Sequence, residues 1–240
     1  MRDDDLKRYI CEVIGTFTLV FFAAGAVMVS ALTEGDLGAI GGGLISGLVL
    51  MIIIFTFAHV SGAHVNPALS IAFVYLGVLE RRLLPGYIVA QMLGSLAAGL
   101  ALLWSLGQIG DMGANLPNIG LGISPFIALL IETFLSFLLM LVIAGALSAG
   151  GRIAELAAIP IGATVGIEVM LMGPVAGAAM NPARAFGPYV ALGDFTHYWI
   201  YVAGPIVGMM AGALVFRFTH GDLTMPVQAD QASEDPEPGL

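Results

Sequence analysis

Charge is scarce in this 240-residue chain. Lys, Arg, Asp and Glu make up 10% of it, against roughly 25% in soluble domains, too few to coat a solvated globule of this size. Cysteine is nearly absent as well. Cys11 stands alone, which permits no internal disulfide and no cysteine-based metal site. Positive charge is the scarcer sign, with eight Lys+Arg against 17 Asp+Glu, and the formal net charge of −9 would repel nucleic acid. What fills the chain instead is apolar: 58% hydrophobic residues, 32 glycines and a mean hydropathy of +0.95. That content excludes a disordered chain, and the glycines follow no collagen period. A surface so poor in charge is explained if most of it faces lipid. The chain reads as an integral membrane protein of the all-α class.

Six apolar stretches are long enough to span a bilayer: Tyr9–Leu32, Ile40–Ala58, Leu84–Leu106, Pro125–Leu147, Ile153–Met172 and His197–Phe216. They are apolar on all sides, which argues against the alternating strands of a membrane barrel. Two shorter pieces, Pro67–Leu79 and Pro182–Leu192, are too brief to cross and are expected to be re-entrant. Basic residues set the orientation. Arg2, Lys7 and Arg8 precede the first span, and Arg81, Arg82, Arg152 and Arg217 fall on that same side after successive crossings. Loops assigned to the opposite side carry no Lys or Arg, so both termini are expected in the cytoplasm. Residues 1–8 read as a short cytoplasmic segment, residues 9–218 as the membrane domain, and residues 219–240 as a disordered acidic tail. The opening residues lack a cleavable signal pattern, so the first span is expected to be its own uncleaved anchor.

The chain repeats itself. Ser61-Gly-Ala-His-Val-Asn-Pro-Ala-Leu-Ser70 aligns with Ala176-Gly-Ala-Ala-Met-Asn-Pro-Ala-Arg-Ala185 at an offset of 115, with five of ten positions identical. Glu12 corresponds to Glu132 at an offset of 120, and Gly94 with Ala98 to Gly208 with Gly212 at 114. Shared offsets mark a tandem duplication of a three-helix unit, covering 9–107 and 124–218. Three is odd, so the second copy enters the membrane from the opposite face. Inverted repeats of this kind place the functional path at their interface, near the bilayer midplane.

Asparagine is a preferred helix N-cap and proline is favoured at the first helical position. Asn66-Pro67-Ala68 and Asn181-Pro182-Ala183 therefore read as the starts of two half-helices whose N-termini meet mid-membrane. Each such end carries roughly +0.5 elementary charge, which disfavours cations. The preceding segments, Gly62-Ala63-His64 and Gly177-Ala178-Ala179, present carbonyls without helical partners, tolerated at that depth only along a cavity or within protein. A row of acceptors leading to paired amide donors in a positive field suits a neutral hydrogen-bonding permeant.

These motifs, SGAHVNPA and GAAMNPARAFGP, with the E-x-x-G-T-F start of the first helix, strongly resemble those of the major intrinsic proteins, the aquaporins and aquaglyceroporins. The resemblance implies an aquaporin-like fold of six transmembrane helices plus two re-entrant half-helices, one pore per subunit and a homotetramer in the plasma or bacterial inner membrane. It implies passive passage of water and small neutral solutes, with no cofactor or metal. It makes Arg184 the residue of the outer constriction. Counting from the motifs places the other constriction positions at Ser46, Val169 and Ala178. Water-selective members usually have Phe and His at the first two. Glycerol facilitators have an aromatic pair, and an Asp where this chain has Ala185. The small set here resembles the nodulin-26-like branch, which passes glycerol, urea or neutral metalloid acids.

Glu12 and Glu132 are expected to accept hydrogen bonds from the irregular loops, and His59 to help hold the first of them. Glu168 adjoins Val169 deep in the fifth span and must be protonated, paired or facing water. Two alternatives to a multi-solute channel remain: a water-selective pore, and a secondary transporter built on inverted repeats. A transporter needs a coupling-ion site, for which Glu168 alone is a poor candidate. No nucleophile–base constellation suggests an enzyme.

Overall fold

The structure is a computed structural model, and it describes residues 3–223. Nine α-helices occur among them: α1 (Asp3–Leu32), α2 (Gly38–Ser61), α3 (Pro67–Tyr75), α4 (Leu84–Leu106), α5 (Pro125–Ser148), α6 (Gly151–Glu155), α7 (Ala158–Ala176), α8 (Pro182–Leu192) and α9 (Ile200–His220). Six are long and apolar enough to cross a membrane, namely α1, α2, α4, α5, α7 and α9. Helices are the natural solution in lipid, because every backbone N–H and C=O is satisfied within the segment. α3 and α8, too short to cross, each begin at the Pro of an Asn-Pro.

Several boundaries differ from the sequence expectation. α1 starts at Asp3, inside the segment 1–8, with Asp3, Asp4 and Asp5 in its first turn where acidic side chains complement the helix dipole. Asp5 is buried and bridges Arg82, at 2.8 and 3.2 Å, tying the start of α1 to the connection before α4. α3 stops at Tyr75 rather than Leu79. The fifth span begins at Ala158 rather than Ile153: Gly150 and Gly151 take positive φ (67° and 49°) and set off the short α6, which ends at Leu156 (φ −97°, ψ 10°) before α7 starts. α9 begins at Ile200 and runs on to His220, so the first two residues assigned to the tail are helical. Beyond residue 223, the acidic tail lies outside the described residues, as does Arg2.

Each repeat packs its first helix against its other two spans: α1 against α2 and α4, α5 against α7 and α9. α2 and α7 join the repeats, while α3 packs on α9 and α8 on α4. Lipid tails are as apolar as leucine, so close backbone contact replaces the hydrophobic drive between these helices. Gly94 meets the backbone of Val13 and Phe17, and Gly208 that of Thr133 and Phe137. A Cβ at Gly47 would lie 3.1 Å from the Cα of Gly166. This packing brings the two half-helices together between the repeats.

Candidate pore and its filter

Both half-helices start in the same way. Asn66 and Asn181 are extended (φ −154°, ψ 115° and φ −158°, ψ 112°) and cap with the side-chain oxygen. Asn66 Oδ1 accepts from the N–H of Ala68 at 2.9 Å and of Leu69 at 3.4 Å. Asn181 Oδ1 accepts from Ala183 at 2.9 Å and Arg184 at 3.2 Å. Pro67 and Pro182 occupy the first turn, where no amide is needed. The side-chain amides then cross over. Asn66 Nδ2 donates to the carbonyl of Met180 at 2.9 Å, and Asn181 Nδ2 to that of Val65 at 2.8 Å. Each amide uses one of its two N–H bonds for this, which leaves one over. The N-termini of α3 and α8 therefore meet end to end.

The loops before the caps are held from behind. α2 ends at Gly62 with φ 86°, and Ala63 and Val65 then adopt positive φ (48° and 43°). Ala178 and Met180 repeat the pattern at 47° and 51°. Such backbone costs on the order of 1–3 kcal/mol per residue, so the surroundings must hold it. Glu12, fully buried, accepts from Ser61 Oγ (2.7 Å), the amides of His64 (2.9 Å) and Val65 (2.7 Å), and Gln91 Nε2 (2.8 Å). Glu132, also fully buried, accepts from the amides of Ala179 and Met180, each at 2.8 Å. Tyr87 donates to the Ser61 carbonyl at 2.6 Å and Tyr201 to that of Ala176 at 2.8 Å.

A cavity of about 580 Å³ runs beside these caps. Ser46, Val169, Ala178 and Arg184 all line it together with Asn66 and Asn181, as do Gly62, Ala63, His64 and Ala179. Ser46 donates its hydroxyl to the Gly42 carbonyl at 2.8 Å. The His64 ring is buried, 3.0 Å from Ser70 Oγ and against Phe73 and Tyr87. Two residues differ from expectation. Gly177 is outside the lining, because its carbonyl turns to Asn115 Nδ2 at 2.7 Å. His59 lines the cavity but is exposed, and its ring makes no hydrogen bond among the described residues. The loop it was expected to hold is fastened by Glu12 and Tyr87 instead.

Arg184 sits in the first turn of α8 and is half-buried. Its Nη1 donates to the Gly113 carbonyl at 2.8 Å and to Asn115 Oδ1 at 2.6 Å. Asn115 is itself held by Gly177 and by Tyr189, whose hydroxyl donates to its carbonyl at 2.7 Å. Asn118 Nδ2 donates to the Pro174 carbonyl at 2.9 Å. Sequence reasoning missed this anchor. An Asn in an apolar, glycine-rich connection was the available signal, but nothing in its spacing points to Arg184.

Two half-helices meeting by their N-termini inside a six-span bundle, with a cavity beside them, have the architecture of a membrane channel. Comparison with known proteins gives the family. A family model for the major intrinsic proteins matches residues 2–216, and the chain belongs to that family. It is 40% identical over 222 residues to "Aquaporin NIP1-1" of Zea mays, covering 91% of this chain and 77% of that one. It is 37% identical over 218 residues to "Putative aquaporin NIP4-1" of Arabidopsis thaliana, covering 89% and 75%. In fold it is similar to an aquaglyceroporin from Plasmodium falciparum, with a TM-score of 0.75 at 24% identity over 90% of this chain and 96% of that one. As a member of the family, the protein is a channel for water and small solutes.

Proposed function

We propose that the channel is wide and passes several neutral solutes, glycerol and urea among them and neutral metalloid acids as a further class. Ser46, Val169, Ala178 and Arg184 form its filter, and the paired Asn66 and Asn181 ends with Arg184 exclude protons and ions. The observation that carries this reading is that the four positions line one cavity, three of them with small or medium side chains. Pore selectivity follows from diameter, hydrogen-bonding groups and electrostatic barriers. A serine and a valine leave the diameter open, while Arg184 keeps the positive barrier. The relatives of Zea mays and Arabidopsis thaliana carry the word aquaporin in their names, which supports water as one permeant.

The protein acts as a homotetramer with one pore per subunit, in the plasma or bacterial inner membrane. Both termini face the cytoplasm, in keeping with the one-sided placement of Lys7, Arg8, Arg81, Arg82, Arg152 and Arg217. Residues 9–218 carry the channel.

Stopped-flow light scattering on proteoliposomes tests the solute range. Water, glycerol and urea are expected to cross faster than in protein-free vesicles. The double substitution Ser46→Phe, Val169→His is expected to keep water flux and abolish glycerol flux. Wild-type glycerol and urea flux at the lipid background would overturn the wide filter in favour of a water-selective pore.

A further inference from the structure

Ser95 of α4 is fully buried and does not line the pore cavity. Its hydroxyl donates to the Ala183 carbonyl and accepts from the Gly187 amide at 2.7 Å. Those two groups are four residues apart, the C=O and N–H that an α-helix closes on each other. A hydroxyl from a neighbouring helix has thus joined the hydrogen-bond ladder of α8, at the turn that contains Arg184. The next residue adds to this. Pro188 has no N–H, so the Arg184 carbonyl lacks the donor that a helix places four residues on. An inserted side chain and a proline are both recognised causes of local helix distortion. Glycine permits the approach: a Cβ at Gly187 would overlap the Ser95 backbone, and one at Gly99 would overlap that of Gly187.

The first repeat lacks the device. At the offset of 115, Ala183, Arg184, Gly187 and Pro188 correspond to Ala68, Leu69, Ala72 and Phe73, and at 114 Ser95 corresponds to Met209. Methionine has no hydrogen to donate, and Phe73 has the amide that Pro188 lacks. α3 is left to close its turns with its own backbone. The altered turn therefore belongs to the half-helix that carries the filter cation.

We propose that Ser95 is a positioning residue for the filter: its hydroxyl sets the pitch of the α8 turn that carries Arg184, and with it where the guanidinium stands relative to Ser46 and Val169. The far end of Arg184 is fixed by the Gly113 carbonyl and Asn115 Oδ1. Its near end follows α8. Without the hydroxyl, the Gly187 amide and the Ala183 carbonyl have only each other, since buried backbone groups rarely stay unpaired. The turn tightens and moves the Arg184 backbone while Gly113 and Asn115 stay in place. The guanidinium is drawn from its anchor into the bore, where the larger solute meets it first. The solute effect rests on the wide filter proposed above; the placement of Arg184 does not.

The test uses the full-length protein in lipid vesicles, with its arginines labelled with nitrogen-15. Solid-state NMR reads the Arg184 guanidinium, assigned by its loss in Arg184→Lys, and stopped-flow light scattering reads flux. Ser95→Ala is expected to shift the Arg184 signals and to lower the glycerol-to-water flux ratio about fivefold, as for the loss of one net hydrogen bond. Ser95→Thr keeps the hydroxyl and is expected to retain both wild-type readings, so a packing defect at position 95 cannot be mistaken for the result. Ser105→Ala removes a hydroxyl bonded only within α4 and is expected to change neither reading. Arg184 signals that are unchanged in Ser95→Ala, or that move equally in Ser95→Thr or Ser105→Ala, overturn the proposal. So does an unchanged flux ratio in Ser95→Ala when the wild type passes glycerol. Wild-type glycerol flux at the lipid background defeats the wide filter instead, and the Arg184 signals still decide the role of Ser95.

Discussion

The two repeats reach the same loop geometry by different chemistry. Behind the first loop, Glu12 gathers four donors, two of them from the side chains of Ser61 and Gln91. Behind the second, Glu132 has two backbone amides. The counterparts of Ser61, His64, Ser70 and Gln91 are Ala176, Ala179, Ala185 and Pro205, so most of the polar scaffold is missing there. What replaces it comes from outside the repeat. Asn115 and Asn118, in the connection between α4 and α5, bind the carbonyls of Gly177 and Pro174. Common to both are the glutamate's bonds to two successive loop amides and the tyrosine pair, Tyr87 and Tyr201. Backbone geometry is what the duplication preserved; the means of holding it diverged.

The largest expected effect separates the two glutamates. Glu12→Gln sets an NH2 against two donors whichever way the amide turns, the Ser61 hydroxyl with the His64 amide or the Val65 amide with Gln91 Nε2, whereas Glu132→Gln opposes one. Thermal unfolding in detergent is expected to show a loss of about 3 kcal/mol for the first and about half of that for the second. Equal losses would mean that the side-chain scaffold of repeat one adds nothing. Next in size is Asn115→Ala, which leaves Arg184 with the Gly113 carbonyl alone. A charge-assisted bond contributes about 1.5–3 kcal/mol, and its loss frees the guanidinium. Proteoliposome assays are expected to show an altered glycerol-to-water flux ratio, while Gln91→Ala, in the other repeat, leaves that ratio alone. Tyr87→Phe and Tyr201→Phe should cost about 1 kcal/mol each, alike within a few tenths, because they remove the same bond from the same place. A marked inequality would end the claim that this pair does the same work in both repeats.

The smallest effect is pH-dependent and lies outside the membrane. Hydrogen bonds from the Thr196 hydroxyl and amide hold the Asp194 carboxyl below its usual range. A depressed value in the fold contributes stability above the unfolded value and loses it as pH falls through the folded one. Acid should loosen the α8–α9 connection slightly, and Asp194→Asn should remove that dependence; hydrogen exchange at Thr196 reads both.

Much of this was legible in the sequence, for reasons that can be named. Apolar length gave six spans, since lipid admits few other backbones. Asn-Pro gave the half-helix starts, since capping is local, and α8 runs from Pro182 to Leu192 as its sequence indicates. Glu12 and Glu132 stood out because a carboxyl in such a run is costly. Two of the misses originate in contacts that span long stretches of chain. Asn115 meets Arg184 across 69 residues, and no periodicity encodes that. Gly177 reads like its counterpart Gly62, yet a connection with no equivalent in the first repeat claims its carbonyl. A local break at Leu156, after the α6 turn that Gly150 and Gly151 set off, moved the fifth span toward the C-terminus, and composition reveals neither feature.

The link between α4 and α5 has a consequence for how such a channel could have arisen. A symmetric pair of separate three-helix chains could supply two capped half-helices and their crossed amides. It could not readily supply the anchor at Gly113 and Asn115, which belongs to the segment created by joining one unit to the next. The counterpart of Arg184 in the first repeat is Leu69, so the cation and its tether occur at one mouth only. Fusion thus did more than secure two halves to each other: it allowed the two ends of the pore to become different.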